Sequence, residues 1–193
     1  MKTVTIIITL MISNLAFSQT EKETVIERKG FIIGASFGAS VVNLATTNQD
    51  NQTDFGSTFN WKIGAMVSEK MSIIILGGAS SIYNYSGEGR DRKRGFEGLF
   101  IATQYWTNDR LWLMGGIGAT ADAPVFYDIE VDNESERDYF WGPGLIVGTG
   151  YELWRKKKFA LDVQSKLHFG YANVPEGRKT GVAFNIGIGF NWY

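Results

Sequence analysis

His168 is the only histidine of this 193-residue chain, so it is the only imidazole that could serve as a general base. A metal site built from several histidines is excluded, and the absence of cysteine excludes thiolate ligands, disulfides and a cysteine nucleophile. A hydroxyl for His168 to activate is also missing, because Gly170 stands two residues later and Ser165, three residues earlier, faces the other way on an extended strand. The residue types therefore predict no catalytic residue, no metal and no cofactor.

Two charged stretches could bind ions or lipid headgroups. Residues 122–138 are strongly acidic, but the glycine and closing glutamate of a calcium loop are not in place. Residues 87–94 read GEGRDRKR and could attract lipid phosphates or acidic surface sugars. Each stretch favours a solvated loop, with weak divalent-cation or phosphate binding as the alternative. A formal net charge of -1 does not suggest nucleic acid as a partner.

The N-terminus has the features of a secretory signal peptide. Lys2 supplies a positive charge, residues 4–15 form an apolar run, and Ala16-Phe17-Ser18 fits a cleavage site between small residues. The run is shorter than the roughly 17 to 25 residues that a membrane-spanning helix needs. We therefore expect residues 1–18 to be removed during export and residues 19–29 to form a flexible lead-in to a domain over residues 30–193.

Within that domain the chain alternates large apolar residues with small or polar ones, which is the period of a strand with two different faces. The pattern is clearest over residues 159–171, where Leu161, Val163 and Leu167 oppose Asp162 and Lys166. It is weakest over residues 71–82 and 96–106. The eight predicted strands cover residues 31–42, 57–67, 71–82, 96–106, 111–120, 139–153, 159–171 and 180–192.

The connections between these strands alternate in length along the whole chain. Three are short, at residues 68–70, 107–109 and 155–157, and four are longer, at residues 43–56, 83–94, 121–138 and 172–179. Bacterial outer-membrane barrels have this asymmetry, with short periplasmic turns and longer external loops. The pattern predicts an all-β, eight-stranded, antiparallel, up-and-down transmembrane β-barrel, with both termini in the periplasm because the strand count is even.

The apolar face of such a barrel must point outward, because lipid offers no hydrogen-bond partners to exposed polar groups. Eight strands enclose a lumen just wide enough for side chains to fill. We expect a polar network in this lumen, formed by Lys62, Glu97, Asp162, Lys166 and His168. Aromatic residues near the predicted strand ends are expected to form interfacial girdles; they are Trp61, Tyr105, Trp106, Trp112, Tyr139, Trp141, Tyr151, Trp154, Tyr171 and Trp192.

Over residues 30–193 the chain resembles the small eight-stranded outer-membrane barrels of Gram-negative bacteria, the OmpA/OmpX/OmpW-like group. Members of this group usually end in an aromatic residue on the lipid-facing parity, which the barrel-assembly machinery reads. The closing residues Phe190, Trp192 and Tyr193 match this signal, although the apolar parity ends at Trp192 and Tyr193 falls one step off. The resemblance implies a monomer in the cell outer membrane, in contact with its lipids and lipopolysaccharide.

The function predicted from these features is non-enzymatic, with a structural or surface-interaction role in the outer membrane. Three alternatives remain open: a narrow channel for small solutes, a barrel enzyme that modifies lipid A, and a soluble lipocalin-like binding barrel. Lipid A deacylases use a histidine and a serine two residues apart on one strand, and Gly170 takes the place of that serine here. A lipocalin-like barrel would carry its apolar residues inside.

Overall fold

A computed structural model describes residues 26–47, 49–87, 90–125, 138–175 and 177–193. Its elements are eight β-strands: β1 (Phe31–Thr46), β2 (Gln52–Ser68), β3 (Met71–Gly87), β4 (Arg90–Trp106), β5 (Leu111–Pro124), β6 (Phe140–Lys156), β7 (Phe159–Val174) and β8 (Gly177–Trp192). Within the described ranges, no helix has the length and apolar character needed to cross a membrane.

The eight strands form one closed barrel. Each strand pairs antiparallel with the next along the chain, and β1 also pairs with β8, where Ile33 lies opposite Trp192. Closure leaves no unpaired sheet edge, so the backbone groups of the strands find their hydrogen-bond partners within the sheet. The predicted all-β, antiparallel, up-and-down barrel is thereby confirmed.

The two faces of the sheet differ in chemistry as the alternation predicts. Large apolar side chains such as Phe37, Ile101 and Ile117 point outward and are well exposed. Serine, asparagine, glutamine and charged side chains lie buried inside the barrel, among a smaller set of apolar residues. This arrangement is the reverse of a soluble lipocalin-like barrel, because the apolar surface is on the outside.

The strands are longer than predicted at one end of the barrel. We call this the loop end; the opposite end, which carries residues 26–30 and Tyr193, is the terminal end. At the loop end the connections shrink to residues 47–51, 88–89 and 175–176, and only residues 125–139 form a long one. Backbone pairing continues there after the apolar alternation has stopped, because ladder hydrogen bonds do not require apolar side chains. A boundary drawn from hydrophobicity alone therefore ends too early.

The face assignments of β3 and β4, which the sequence left ambiguous, follow from a bulge. Between Ala79 and Ser81 the register with β4 shifts by one residue, and both Ser80 and Ser81 become buried. In β4 the even-numbered residues point inward. Glu97 therefore lies on the outward parity, paired with Ala79. Its expected place in the lumen is not what the structure shows, because a single acidic residue is a weaker indicator than the register of the neighbouring strands.

Candidate functional site

The lumen holds the chemically distinctive residues of the protein, in three groups along the barrel axis. The terminal plug consists of Arg28, Trp106, Glu152 and Tyr193. The central layer contains Lys62, Asp162 and Lys166 with their polar neighbours. The loop-end cluster consists of Tyr83, Arg94, Asp122 and Lys179. All of these side chains are buried.

Glu152 is the centre of the terminal plug. Its Oε1 atom accepts hydrogen bonds from Trp106 Nε1 at 2.9 Å and from the Tyr193 hydroxyl at 2.7 Å. Its Oε2 atom accepts from the Arg28 guanidinium at 2.7 Å, in an ion pair from which solvent is almost completely excluded. Three donors from distant parts of the chain therefore converge on one carboxylate.

Arg28 comes from the segment that precedes the barrel and reaches into its mouth. Its guanidinium lies 4.8 Å from the centre of the Trp106 ring and also donates to the carbonyl oxygen of Asp109 at 2.5 Å. Ile26 packs into the same apolar cluster. Ile26 and Arg28 thus contact the barrel, and the flexibility expected of residues 19–29 stays a prediction. The predicted signal peptide over residues 1–18 and the rest of the predicted lead-in, residues 19–25, lie outside the described residues.

Tyr193 falls out of register with the apolar parity of β8 because its side chain points inward. The odd-numbered residues of β8 face the lumen, and Tyr193 continues that set as the last member of the plug. Phe190 is exposed on the outer face and Trp192 is half-buried on the same parity. Of the three residues in the predicted assembly signal, Phe190 and Trp192 therefore lie on the outward parity, whereas Tyr193 points inward and contacts Glu152.

Asp162 organises the central layer. Its Oδ2 atom accepts from Trp112 Nε1 at 3.0 Å and from Asn191 Nδ2 at 2.8 Å, and its Oδ1 atom accepts from Gln164 Nε2 at 3.1 Å. Gly189 makes room for this arrangement, since a Cβ atom there would overlap the ends of Gln164 and Asp162. The carboxylate is thus surrounded by neutral donors.

Two lysines lie beside this carboxylate without pairing with it. Lys62 Nζ donates to Gln104 Oε1 at 2.8 Å and sits 5.2 Å from the centre of the Trp112 ring. Lys166 Nζ donates to Ser36 Oγ at 3.0 Å. Neither lysine forms an ion pair within the described part of the chain. The central layer therefore carries buried positive charge that is only partly compensated.

His168 lies further toward the loop end and is fully buried. One ring nitrogen is 2.8 Å from Thr120 Oγ1 and the other is 2.8 Å from Ser80 Oγ. Phe96 stacks on the imidazole, with ring centres 4.3 Å apart, and Phe100 contacts it edge-on. Both nitrogens are engaged, with partners on two other strands, so the ring is placed to hold three strands together.

The loop-end cluster is built on Asp122. Its carboxylate accepts from the Tyr83 hydroxyl at 2.6 Å, and both Arg94 Nε and Lys179 Nζ donate to it. Arg94 also donates to the carbonyl oxygen of Asp138 at 3.2 Å. The cluster ties β3, β4, β5 and β8 together at the loop end.

The structure brings together three members of the predicted lumen network. Lys62, Asp162 and Lys166 share the central layer, His168 lies in a separate group with Thr120 and Ser80, and Glu97 lies on the outside. Asp122 and Glu152 also lie in the lumen and were not predicted there. The even-numbered residues of β5 and β6 face the lumen, so Asp122 follows from Thr120 and Glu152 follows from Gly150. No sequence signal pointed to Arg28, whereas the odd-numbered parity of β8 continues to Tyr193. The contact of both residues with Glu152 depends on closure of the barrel.

Two of the aromatic residues expected in the interfacial girdles belong to the lumen. Trp106 and Trp112 are fully buried on the inward parity of β4 and β5. Trp112 fits because Gly150 lies opposite it, where a Cβ atom would overlap the indole ring. Each indole N–H also finds a buried carboxylate. Of the other eight, Tyr171 and Trp192 are half-buried and the rest are exposed on the outer face, namely Trp61, Tyr105, Tyr139, Trp141, Tyr151 and Trp154.

The two charged stretches singled out in the sequence fall mostly on parts of the chain that cannot be described. Residues 126–137 of the acidic stretch lie outside the described residues, and so do residues 88–89 of the basic stretch. Among the residues that are described, no group of three or more acidic or histidine side chains could hold a metal ion. The proposals for cation and phosphate binding stay predictions.

At the terminal end an exposed ion pair contrasts with the buried one in the plug. Lys29 Nζ donates to Glu27 Oε1 at 2.5 Å, with both side chains largely in solvent. This hydrogen bond, together with the charge of Lys29, lowers the pKa of the Glu27 carboxyl below its ordinary value. The Glu27–Lys29 pair is therefore a solvent-exposed ion pair with which the buried Arg28–Glu152 pair can be compared.

Comparison with known proteins supports the fold and leaves the activity open. No protein-family model matches the sequence, and no curated protein matches it either. The structure is similar to Ail, the attachment invasion locus protein of Yersinia pestis in complex with the heparin analogue sucrose octasulfate, with a TM-score of 0.54 and 12% identity over 84% of this chain and 99% of that one. It is also similar to neisserial surface protein A, with a TM-score of 0.52 and 14% identity over 84% of this chain and 96% of that one. The chain has the fold of small outer-membrane β-barrels.

Proposed function

We propose that this chain is an integral outer-membrane β-barrel with a non-enzymatic, structural or surface-interaction role. The observation that carries this proposal is the combination of an apolar outer face with a lumen packed by buried polar and aromatic side chains. The first feature suits lipid, and the second fills the described part of the lumen, which disfavours solute passage and substrate binding there. Export through the signal peptide, assembly by the barrel-assembly machinery and a monomeric state in contact with lipid and lipopolysaccharide belong to the same proposal.

The orientation follows from the two ends of the barrel. The terminal end would face the periplasm, because an even number of strands puts both termini on one side and the short turns are on that side. The loop end would face the outside, where the strands continue past the apolar belt. This end offers the surface for interaction. Ail, whose name refers to attachment, shares the fold, and at 12% identity it supports no more than that.

The outer face provides a direct test of membrane insertion. Ile117 is 70% exposed and lies between Ile101 and Leu145, which are also exposed. Replacing it with arginine is expected to lower the free energy of unfolding of the protein in bilayers by about 2 to 4 kcal/mol, because a charge at the bilayer midplane is costly. Urea titration of protein refolded into vesicles measures this change.

The matched control is Asn173→Arg, which places the same charge on an outward position close to the loop end. It is expected to cost about 0 to 1 kcal/mol, since the penalty falls toward the interface. Equal costs for the two variants would show that Ile117 does not face lipid and would contradict the membrane proposal.

The packed lumen distinguishes the structural role from the narrow channel. The terminal plug blocks one end, and the central layer leaves a cavity of only about 10 Å³ beside Lys62 and Lys166. A cavity of this size has room for about one water molecule. Among the described residues, the plug and the central layer therefore obstruct the path of a solute along the barrel axis.

We expect purified protein in planar bilayers to show no unitary conductance steps above the lipid baseline. The matched control is the Trp106→Ala, Trp112→Ala double variant, accepted only if it still shows heat-modifiable migration on a gel. Removing the two largest lumen side chains is expected to introduce steps, which shows that the assay detects a path. Clear single-channel steps from the wild-type protein would favour the channel function instead.

The enzymatic alternative receives little support from the surroundings of His168. The two hydroxyl groups within reach of the imidazole, on Thr120 and Ser80, are both buried in the lumen. A lipid A molecule lies outside the barrel wall and does not reach these atoms. The geometry therefore favours a structural role for His168.

A further inference from the structure

The central layer contains two buried ammonium groups whose charge no neighbouring carboxylate neutralises directly. Lys62 and Lys166 are 7% and 4% exposed. Asp162 is the nearby carboxylate, but three neutral donors occupy its oxygens. In the region that the structure describes, neither lysine lies within ion-pair distance of any carboxylate. With both lysines charged, the layer carries one more positive than negative charge.

The same groups present more hydrogen-bond donors than their neighbours can accept. Each ammonium has three N–H groups. One bond from Lys62 goes to Gln104 and one from Lys166 goes to Ser36, and no others are found among the described residues. The amide nitrogen of Gln104 is buried without a partner in that part of the chain. This layer therefore requires an acceptor, and a negatively charged one would also balance its charge.

The two lysines line one small cavity. Its polar lining consists of Ser36, Asn60, Lys62, Gln164, Lys166 and Asn191, and its volume is about 10 Å³. That volume admits a particle about as large as one water molecule. Sulfate, phosphate and carboxylic acids are too large. A halide such as chloride is among the smallest common inorganic anions, and because it is larger than water, the flexible ends of Lys62, Gln164 and Lys166 must move apart to admit it.

We propose that this cavity is a binding site for one small inorganic anion, with chloride as the chemical class, held between the Nζ atoms of Lys62 and Lys166. Burying a charge without a counter-charge is costly, and a bound anion offsets that cost while accepting the unused N–H groups. A water molecule would accept hydrogen bonds but leave the excess charge. The anion would be enclosed when the barrel closes, since the terminal plug covers one end of the lumen.

The test compares thermal unfolding in sodium chloride and in sodium gluconate at equal ionic strength, with the full-length mature protein refolded in each salt. Gluconate is too large for the cavity. We expect a higher midpoint in chloride, rising by about 3 to 6 °C for each tenfold increase in chloride above its dissociation constant. Equal midpoints in the two salts would overturn the proposal and indicate that one lysine is buried without its proton.

Two variants locate the effect. Gln104→Glu places a carboxylate next to Lys62 without changing the size of the side chain, and it is expected to abolish most of the chloride dependence. Lys179→Gln is the matched control, because it removes a buried lysine from the loop-end cluster, where Asp122 is the counter-charge. It should lower the midpoint in both salts and keep the chloride dependence. Full chloride dependence in Gln104→Glu would contradict the assigned site.

Crystals of the wild-type protein grown in sodium bromide give a measurement that needs no variant. An anomalous difference peak between the Nζ atoms of Lys62 and Lys166 is expected. Density at that position without anomalous signal would identify a water molecule and overturn the proposal.

Discussion

Replacing Glu152 with glutamine is expected to lower the free energy of unfolding by about 3 to 5 kcal/mol, because it leaves the buried Arg28 guanidinium without its carboxylate. The amide keeps one acceptor oxygen, but it cannot serve Trp106, Tyr193 and Arg28 together as the carboxylate does. Urea titration in detergent micelles or vesicles, followed by the heat-modifiable shift on a gel, measures the loss.

The control for Glu152 is Glu27→Gln, which removes an exposed partner of Lys29 at the same end of the barrel. Exposed pairs contribute little, so no measurable change is expected there. The Arg28→Gln, Glu152→Gln double variant should be more stable than Glu152→Gln alone, since it also removes the buried cation. If Glu152→Gln and Glu27→Gln lowered the free energy of unfolding by the same small amount, the plug would not exclude solvent.

Replacing Asp162 with asparagine is expected to cost about 2 to 5 kcal/mol through two separate effects. One is the loss of the carboxylate nearest to the two buried lysines. The other is a conflict between donors, since the new amide nitrogen must face either Gln164 Nε2 or the pair formed by Trp112 Nε1 and Asn191 Nδ2. The same unfolding measurement applies.

Two comparisons separate these effects. Trp112→Phe removes one neutral donor and keeps the carboxylate, so it should cost less than Asp162→Asn. Asp109→Asn changes an exposed carboxylate at the terminal end, where the carbonyl oxygen of Asp109 makes the contacts with Arg28 and Arg155. It is expected to have no measurable effect. A loss from Asp162→Asn no greater than that from Trp112→Phe would show that the charge of Asp162 contributes nothing.

The outer wall of this barrel was largely predictable from sequence. Large apolar residues such as Val163, Phe184 and Ile188 occupy every second position of their strands. One face of each strand meets lipid or solvent and the other meets the lumen, so this repeat identifies the outward face. Strand number and pairing order followed from the same repeat and from the alternating connections. The repeat failed where both faces are apolar, as at Ile73 to Ile75, because the alternation then carries no information.

The lumen was less predictable, and Trp112 illustrates why. Tryptophan is typical of a membrane interface, yet Trp112 lies on the inward parity of β5. It fits in the lumen because Gly150, on the neighbouring strand, leaves space for the indole ring. Glu97 shows the opposite error, because its charge favoured the interior while the register with β3 and β5 placed it outside. In both cases the parity of neighbouring strands was stronger evidence than the chemistry of one side chain.

The sequence by itself determined an eight-stranded barrel with an apolar exterior, because the period of two and the alternation of connections are local features. Only the tertiary structure decided what fills the barrel and therefore that His168 is buried between Thr120 and Ser80. Arg28 precedes β1 and Tyr193 follows β8, and the two residues meet on Glu152 only after β1 pairs with β8. Contacts between residues so far apart arise from closure of the sheet, and no local pattern in the chain records them.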